Sequence, residues 1–196
     1  MPRLPSVILF PDPKLRRRAE TVPDAVFGTS GLREYCQLLA NLLVAVEQAD
    51  VLAGTQIDFD PSWCVLALQT GNDARSISSH KTSVSVLLNP VIRDESGEAV
   101  EFEKSASFAC VPCLLSAPTK MTVEYRKVDG TRRKVECSRS GARAIFQGCE
   151  SLKGKPIIDR MTAVAAHQLV QRFKEYLEER LAPALFLPDM SLVVPN

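Results

Sequence analysis

Histidine is scarce in this chain of 196 residues, which has only His80 and His167. Many zinc hydrolases take two ligands from histidines that lie four positions apart on one helix. The two histidines here are far apart in the sequence, so the chain has no intact two-histidine metal motif. Any metal-dependent chemistry would need a different set of ligands.

An excess of charge of one sign is also lacking, since 24 Lys and Arg residues balance 23 Asp and Glu residues to a net charge of +1. This balance gives no electrostatic reason to expect nucleic acid or an anionic membrane as a partner. The basic run at residues 14–18 is typical of a solvated turn. No apolar stretch approaches the roughly 20 residues of a membrane span. The first five residues are not a signal peptide.

The length favours one ordinary domain over residues 1–196, large enough to bury a core. We expect an intracellular protein that binds neither nucleic acid nor a membrane. A mitochondrial or other organellar location is left open.

Six cysteines raise the question of a metal site or a disulfide framework. Cys110 and Cys113 form one C-x-x-C pair, which is a weak metal signal without a second pair. Cys36 and Cys64 lie within apolar stretches, as small buried hydrophobic residues do. The pattern therefore favours reduced thiols in a reducing compartment over a disulfide framework.

The apolar spacing predicts helices at both ends of the chain and strands between them. An amphipathic helix is expected over about residues 29–49. Strands are expected at residues 62–69 and 83–88, the second one ended by Asn89-Pro90. Asp129-Gly130 is a favoured hairpin turn between two further strands. The order of these elements predicts an α+β fold with antiparallel strands in its middle.

Two helices are predicted after the strands. Apolar residues recur at helical spacing over residues 138–152, which predicts a helix that faces the sheet. A last helix is expected over residues 159–181 and should pack on the chain's own sheet. Pro183 should end this helix, because proline removes a backbone donor. The apolar tail that follows, including Phe186, is expected to dock on the body of the protein or on another chain.

One segment has the frame of a metal-binding helix but not its ligands: Phe146-Gln147-Gly148-Cys149-Glu150-Ser151-Leu152-Lys153-Gly154. It resembles the Gln-His-Glu-x-x-His-Leu-x-Gly helix of peptide deformylases, which supplies two imidazole ligands and a general base. Gln147, Gly148 and Ser151 stand where that pattern has His, Glu and His.

Further segments follow the same family in order and spacing, over about residues 6–161. Residues 10–16 resemble its entry segment, residues 49–56 its Gly-x-Gly-x-Ala-Ala-x-Gln segment, and residues 87–98 the strand and turn before its Glu-Gly-Cys-Leu-Ser motif. Counting on without a gap places Ser105 at the position of the metal-binding cysteine.

The resemblance implies a peptide-deformylase-like α+β fold, with antiparallel sheets around a central helix and additional N-terminal and C-terminal helices. It also implies a site that has lost its chemistry. Serine and glutamine oxygens bind zinc or ferrous iron poorly compared with thiolate and imidazole, and Gly148 has no side chain to act as a general base. We therefore expect no cofactor. The family's site positions are here Gln56, Glu103, Ser105, Gln147, Gly148 and Ser151.

The substrate groove of the family corresponds to residues that are partly replaced here. Val51 puts a branched side chain where the family has a glycine, so we expect the groove to be narrowed or blocked. Ala117 stands where an arginine commonly pairs with the retained Glu103. Without that partner, Glu103 should reach solvent or find Lys104 or Lys120. The groove positions are Val51, Leu52, Gln56 and Ala106.

Three functions are open. The favoured one is a metal-free, non-catalytic binding or scaffold protein with a protein partner that the sequence does not identify, near a bacterial-type or organellar translation system. The second is an aberrant active deformylase that removes the formyl group from N-terminal formyl-Met and uses Ser105, Glu150, Cys149 or His167 in a rearranged site. The third is a hydrolase with Cys149 or Ser151 as nucleophile, although the sequence places no histidine to activate either. A second register starting at His167 resembles a decayed His-Glu-x-x-His, but nothing after it matches the family.

Overall fold

A computed structural model of the chain describes residues 5–46, 49–70, 83–109 and 111–185. Within these residues the strands form one antiparallel sheet in which each strand pairs with the next along the chain. The α+β fold with antiparallel strands is therefore confirmed. The helices are α1 Ser30–Ala45, α2 Arg139–Leu152 and α3 Ala163–Leu185, and the strands are β1 Val51–Ala53, β2 Val65–Thr70, β3 Ser83–Glu103, β4 Cys113–Arg126 and β5 Arg132–Ser138.

Helix α1 covers one side of the sheet. The Thr29 hydroxyl accepts a hydrogen bond from the backbone N–H of Leu32 and so caps its first turn. Its apolar stripe, which includes Leu39, is buried in the largest core cluster. The helix ends at Ala45, earlier than the residue 49 expected from the sequence. Val46 leaves the helical conformation, with φ −92° and ψ 81°, and so ends the helix.

Helix α2 packs on the other side of the sheet, as the apolar period predicted. Ala142, Ile145 and Cys149 are buried against Leu66 of β2 and Val123 of β4. Strand β4 is followed by the hairpin turn at Asp129-Gly130, by β5 and then directly by α2. This short connection places α2 against the strands that precede it.

The expectation that Asn89-Pro90 ends a strand is wrong. Strand β3 continues through this point, and the pairing with β4 shifts register between Leu88 and Val91. Asn89 has a left-handed φ of 49°. Its side-chain amide donates to the carbonyl of Val22 and accepts from the N–H of the same residue, both at 2.9 Å. These bonds hold the irregular residue in place, so the strand contains a bulge here and continues.

The turn expected near residues 95–98 is likewise an irregularity inside β3. The register shifts again between Arg93 and Ser96, and Gly97 adopts φ 64°. A glycine accepts this conformation without strain. The strand therefore bends at Gly97 and stays paired with β4 as far as Glu103.

Helix α3 buries Leu169 and Phe173 in a third core cluster. The ring of Phe108 in that cluster stacks on Phe10 with centroids 4.7 Å apart. The helix runs to Leu185, so the expectation that Pro183 ends it is wrong. The proline removes one backbone hydrogen bond near the end of the helix, which continues for two more residues. The tail from residue 186 lies outside the described residues.

The thiols that the structure describes are free and form no disulfide with one another. Burial raises the pKa of Cys36 to about 11 and that of Cys149 to about 12. Cys110 and His80 lie outside the described residues. Among the described helices, none combines the length and the apolar character needed to cross a membrane.

The turn after α2 docks on the N-terminal segment. Gly154 has φ +77°, and a Cβ built on it would lie 2.5 Å from the carbonyl oxygen of Arg16. The Arg16 guanidinium binds both carboxylate oxygens of Asp159, at 2.6 and 2.9 Å. The absence of a side chain at Gly154 therefore sets how closely the two segments approach.

Replacing Gly154 by alanine should destabilise the protein, because the left-handed conformation alone costs about 1–2 kcal/mol and the new Cβ would also meet backbone atoms. The matched control is Gly28→Ala, which has φ +76° but no atom within 4 Å of a built Cβ. Urea unfolding should therefore show a larger loss for Gly154→Ala than for Gly28→Ala. Equal losses would mean that the segments do not approach this closely.

Candidate functional site

Helix α2 presents Gln147, Gly148 and Ser151 to the interior, where all three are buried. The apolar stripe on the same helix fixes this orientation by packing on the sheet. Positions four apart lie one above the other on a helix, so Gln147 and Ser151 share one face. This face points toward the segment that carries Ser105.

A polar cavity of about 10 Å³ lies beside this face. A cavity of this size is near the lower limit for one water molecule. Ser105, Ser151 and Gln56 all line it. The full lining is Leu15, Thr55, Gln56, Ser105, Ser107, Ser151 and Pro156.

Gln56 is fixed by three hydrogen bonds. Its side-chain nitrogen donates to the hydroxyls of Ser107 at 3.0 Å and Ser105 at 3.3 Å, and its side-chain oxygen accepts from the backbone N–H of Ala53 at 3.0 Å. Both ends of the amide are therefore engaged within the protein.

Gln147 and Ser151 are also engaged. The Gln147 amide donates to the carbonyl of Lys104 at 2.9 Å, and Gln147 is not among the residues that line the cavity. The Ser151 hydroxyl donates to the carbonyl of Gln147 at 3.1 Å, and the Thr55 hydroxyl donates to the carbonyl of Ser151 at 2.9 Å. The result is a neutral network of hydrogen bonds that satisfies these buried groups.

This donor set does not fit the zinc or ferrous iron of the family. Zinc and iron sites use thiolate, imidazole or carboxylate ligands. Ser105 and Ser151 offer neutral hydroxyls that already take part in hydrogen bonds, and Gln147 offers a neutral amide whose nitrogen donates to the carbonyl of Lys104. In the part of the chain that the structure describes, no cluster of three or more His, Cys, Asp or Glu side chains could hold a metal.

The space beside Gly148 is filled by two apolar side chains. A Cβ built on Gly148 would lie 2.7 Å from Cδ2 of Leu66 and 2.8 Å from Cγ2 of Val51. Val51 and Leu66 are themselves buried, in β1 and β2. Helix α2 therefore approaches the sheet at a distance that only a residue without a side chain allows.

The predicted groove positions lie in the interior. Val51 belongs to the core beneath α2, while Leu52 and Ala106 belong to the core beneath α1. Their exposed fractions are 3%, 0% and 3%, respectively. Side chains buried to this extent offer almost no surface to a peptide.

The expectation that Glu103 reaches solvent or pairs with Lys104 or Lys120 is wrong. Glu103 is buried, and its two oxygens bind Arg143 at 2.7 Å and Arg160 at 3.2 Å. Burial raises the pKa of Glu103, and the two guanidinium groups oppose that rise.

Arg143 is the central residue of this cluster, which the sequence reasoning missed. Besides Glu103, its guanidinium donates to the carbonyls of Ala99 at 2.6 Å and Leu115 at 2.8 Å. It also donates to the backbone carbonyl of Ala117 at 3.4 Å. Residue 117 is the position where the family's arginine was expected. A signal was present, because Arg143 lies four and eight residues before Gln147 and Ser151 on one helical face.

The residues of the two alternative mechanisms are not brought together. Glu150 forms ion pairs with Lys153 and Lys155. Cys149 lies in the core cluster with its pKa raised to about 12 by burial, which disfavours the thiolate. His167 is exposed on α3.

Substituting Arg143 by methionine should destabilise the protein by about 3–5 kcal/mol, because it leaves a buried carboxylate with one partner fewer. Losing this cation raises the pKa of Glu103 further. A carboxyl group whose pKa is raised in the folded state stabilises the fold at low pH and loses that contribution as the pH rises. The difference in unfolding free energy between Arg143→Met and the unmodified chain should therefore shrink as the pH falls through the raised pKa of Glu103. Urea titrations at several pH values measure this.

Arg93→Met is the matched control, because its ion pair with Glu124 is exposed. This variant should lose no more than about 1 kcal/mol. If Arg143→Met were as mild as Arg93→Met at neutral pH, the buried cluster would not hold α2 to β3 and β4.

Known proteins of similar sequence include peptide deformylases. The chain is 27% identical over 158 residues to a peptide deformylase of Stenotrophomonas maltophilia strain R551-3. The aligned region covers 80% of this chain and 86% of that protein. It is 25% identical over 177 residues to a peptide deformylase of Nitrosococcus oceani, covering 89% and 95%.

Solved structures share the fold. The crystal structure of peptide deformylase from Ehrlichia chaffeensis has a TM-score of 0.77 at 17% identity, with 90% of this chain and 98% of that chain covered. A peptide deformylase from Plasmodium falciparum has a TM-score of 0.73 at 19% identity, with the same coverage. The sequence model described as polypeptide deformylase matches residues 5–167, most of the chain, and the chain therefore belongs to the peptide deformylase family.

Proposed function

We propose that this deformylase-family protein no longer catalyses deformylation and acts through binding, as a scaffold or regulatory subunit for another protein. The observation that carries the proposal is the packing at Gly148. The position where the family has its catalytic glutamate is in contact with Val51 and Leu66, and these side chains leave no space for a carboxylate.

The metal ligands support the same proposal. A metal-bound water needs both a metal and a base within hydrogen-bond reach. Ser105, Gln147 and Ser151 provide neutral groups, and their hydrogen bonds are already made within the protein. Binding an ion here would break a satisfied network and replace it with weak ligands.

The burial of the predicted groove positions also supports the loss of catalysis. Formyl-peptide substrates of this family need close backbone contact at the glycine position that Val51 occupies. Val51 is buried with its methyl group against α2, so the position is closed to a peptide by the protein's own core. Loss of ligands, base and groove together favours a role that does not depend on turnover.

Purified without added metal, the chain should contain far less than one zinc or iron per molecule. It should not remove formyl groups from formyl-Met peptides above background, with or without added zinc, nickel, cobalt or ferrous iron. Elemental analysis and a deformylation assay measure the two quantities. Chelator-sensitive deformylation by the unmodified chain would show that a metal is held by other residues and would refute the proposal.

The matched variant restores the family residues with Ser105→Cys, Gln147→His, Gly148→Glu and Ser151→His. We expect metal binding to be recovered when these changes are combined with Val51→Gly. With Val51 retained, the restored chain should be less stable, because the glutamate would be forced against a core side chain. The two restored chains differ at one residue, so their comparison isolates the effect of Val51.

Packing at Gly148 can be tested without any metal. Alanine normally stabilises a helix interior relative to glycine by about 0.5–1 kcal/mol. Gly148→Ala should do the opposite and destabilise by about 1–3 kcal/mol through overpacking. In a Val51→Ala background this loss should shrink by about 1 kcal/mol, which a double-mutant cycle by urea unfolding detects.

Gly141→Ala in the same helix is the control, because no atom lies within 4 Å of a Cβ built there. It should leave stability unchanged or raise it. If Gly148→Ala behaved like Gly141→Ala, the space beside Gly148 would not be filled, and a glutamate could be accommodated there.

A further inference from the structure

The far ends of β3 and β4 form a two-stranded ribbon, in which residues 98–103 pair with residues 113–118. The neighbouring strands do not accompany it. Strand β2 pairs with β3 only over residues 83–88, and β5 pairs with β4 only over residues 120–126. Within the described part of the chain, the ribbon therefore extends beyond the rest of the sheet.

The two faces of this ribbon differ sharply. The inner face buries Cys113 and Leu115 and carries the Glu103 cluster. On the outer face, Val100 is 65% exposed, Phe102 69% and Leu114 54%. Phe102 lies directly opposite Leu114, and Val100 lies two residues along the same face, so the three form one patch, called here the ribbon face. Clustered exposed apolar side chains of this kind mark interaction surfaces.

The surroundings of the ribbon face are acidic. Residues 94–103 contain five acidic residues and no basic one, and residues 113–119 contain no charge. Four of the five acidic side chains are exposed, the exception being Glu103. Glu101 pairs with Arg143 at 3.6 Å, so Asp94, Glu95 and Glu98 carry the remaining negative charge. Glu98 shares the outer face with Val100 and accepts a hydrogen bond from Ser116. The chain as a whole is nearly neutral, so this is a local feature.

We propose that the ribbon face binds a protein partner whose contacting surface is apolar at its centre and carries Lys or Arg at its edge. Interfaces commonly combine an apolar core with a polar rim of complementary charge. A second copy of this chain fits less well, because a two-fold contact through the ribbon face would bring two acidic rims together. The proposal does not depend on whether the deformylase site is active.

The probes are two synthetic amphipathic peptides that share the same leucine positions, one with lysine and one with glutamate at the polar positions. Fluorescence anisotropy with the full chain measures binding. The lysine peptide should bind at least tenfold more tightly than the glutamate peptide, and added salt should weaken it because the rim charges are exposed.

Variants locate the contact. Phe102→Ser and Leu114→Ser should each weaken lysine-peptide binding at least tenfold. The matched control is Val44→Ser, which removes another exposed valine, 53% exposed, from α1. It should bind like the unmodified chain. All three residues are exposed, and equal melting temperatures will verify that the variants are folded.

Other outcomes overturn the proposal. Equal binding of the two peptides, or equal behaviour of Phe102→Ser and Val44→Ser, would show that the ribbon face is not the site. A concentration-dependent doubling of mass that Phe102→Ser abolishes in sedimentation would identify a second copy as the occupant. If the lysine peptide bound only after removal of residues 186–196, the chain's own tail would be the occupant.

Discussion

The burial of α2 on both of its sides is the constraint on which the rest of the structure depends. One side packs Ile145 and Cys149 on the sheet, and the other side carries Gln147 and Ser151. A helix buried in this way must satisfy every polar group that it brings inside. It does so through hydrogen bonds that Arg143, Gln147 and Ser151 donate, mostly to backbone carbonyls. Among buried side-chain nitrogen and oxygen atoms of the described residues, only the Tyr35 hydroxyl lacks a partner.

The parts of the fold that depend on local periodicity could be predicted from the sequence. The apolar spacing of α1 and α2 and the turn at Asp129-Gly130 are properties of short stretches of chain. The break predicted at Asn89-Pro90 was wrong because the deciding bonds reach Val22, 67 residues away. A local pattern contains no information about a partner at such a distance, so a bulge and a strand end look alike in sequence.

In the candidate site, too, some features follow from spacing in the sequence and others depend on distant residues. Spacing alone placed Ser105 and Ser151 at positions that line one cavity in the structure. The partner of Glu103 could not be found in the same way, because the spacing indicates only which residue aligns with the family's arginine, and that residue is Ala117. The structure supplies a guanidinium from α2 through Arg143, whose long side chain reaches the same place from another element. A buried charge requires a partner, and that partner can come from any segment within reach.

The contact between Gly148 and Val51 also bears on how the chain can change through single substitutions. A glutamate at position 148 that arose first would press against a buried valine, and a glycine at position 51 that arose first would leave a void. Each step alone lowers stability, and even the pair together would leave the glutamate against Leu66, whose Cδ2 lies 2.7 Å from a Cβ built on Gly148. A carboxylate at position 148 therefore requires coordinated changes in two strands, because β1 carries Val51 and β2 carries Leu66.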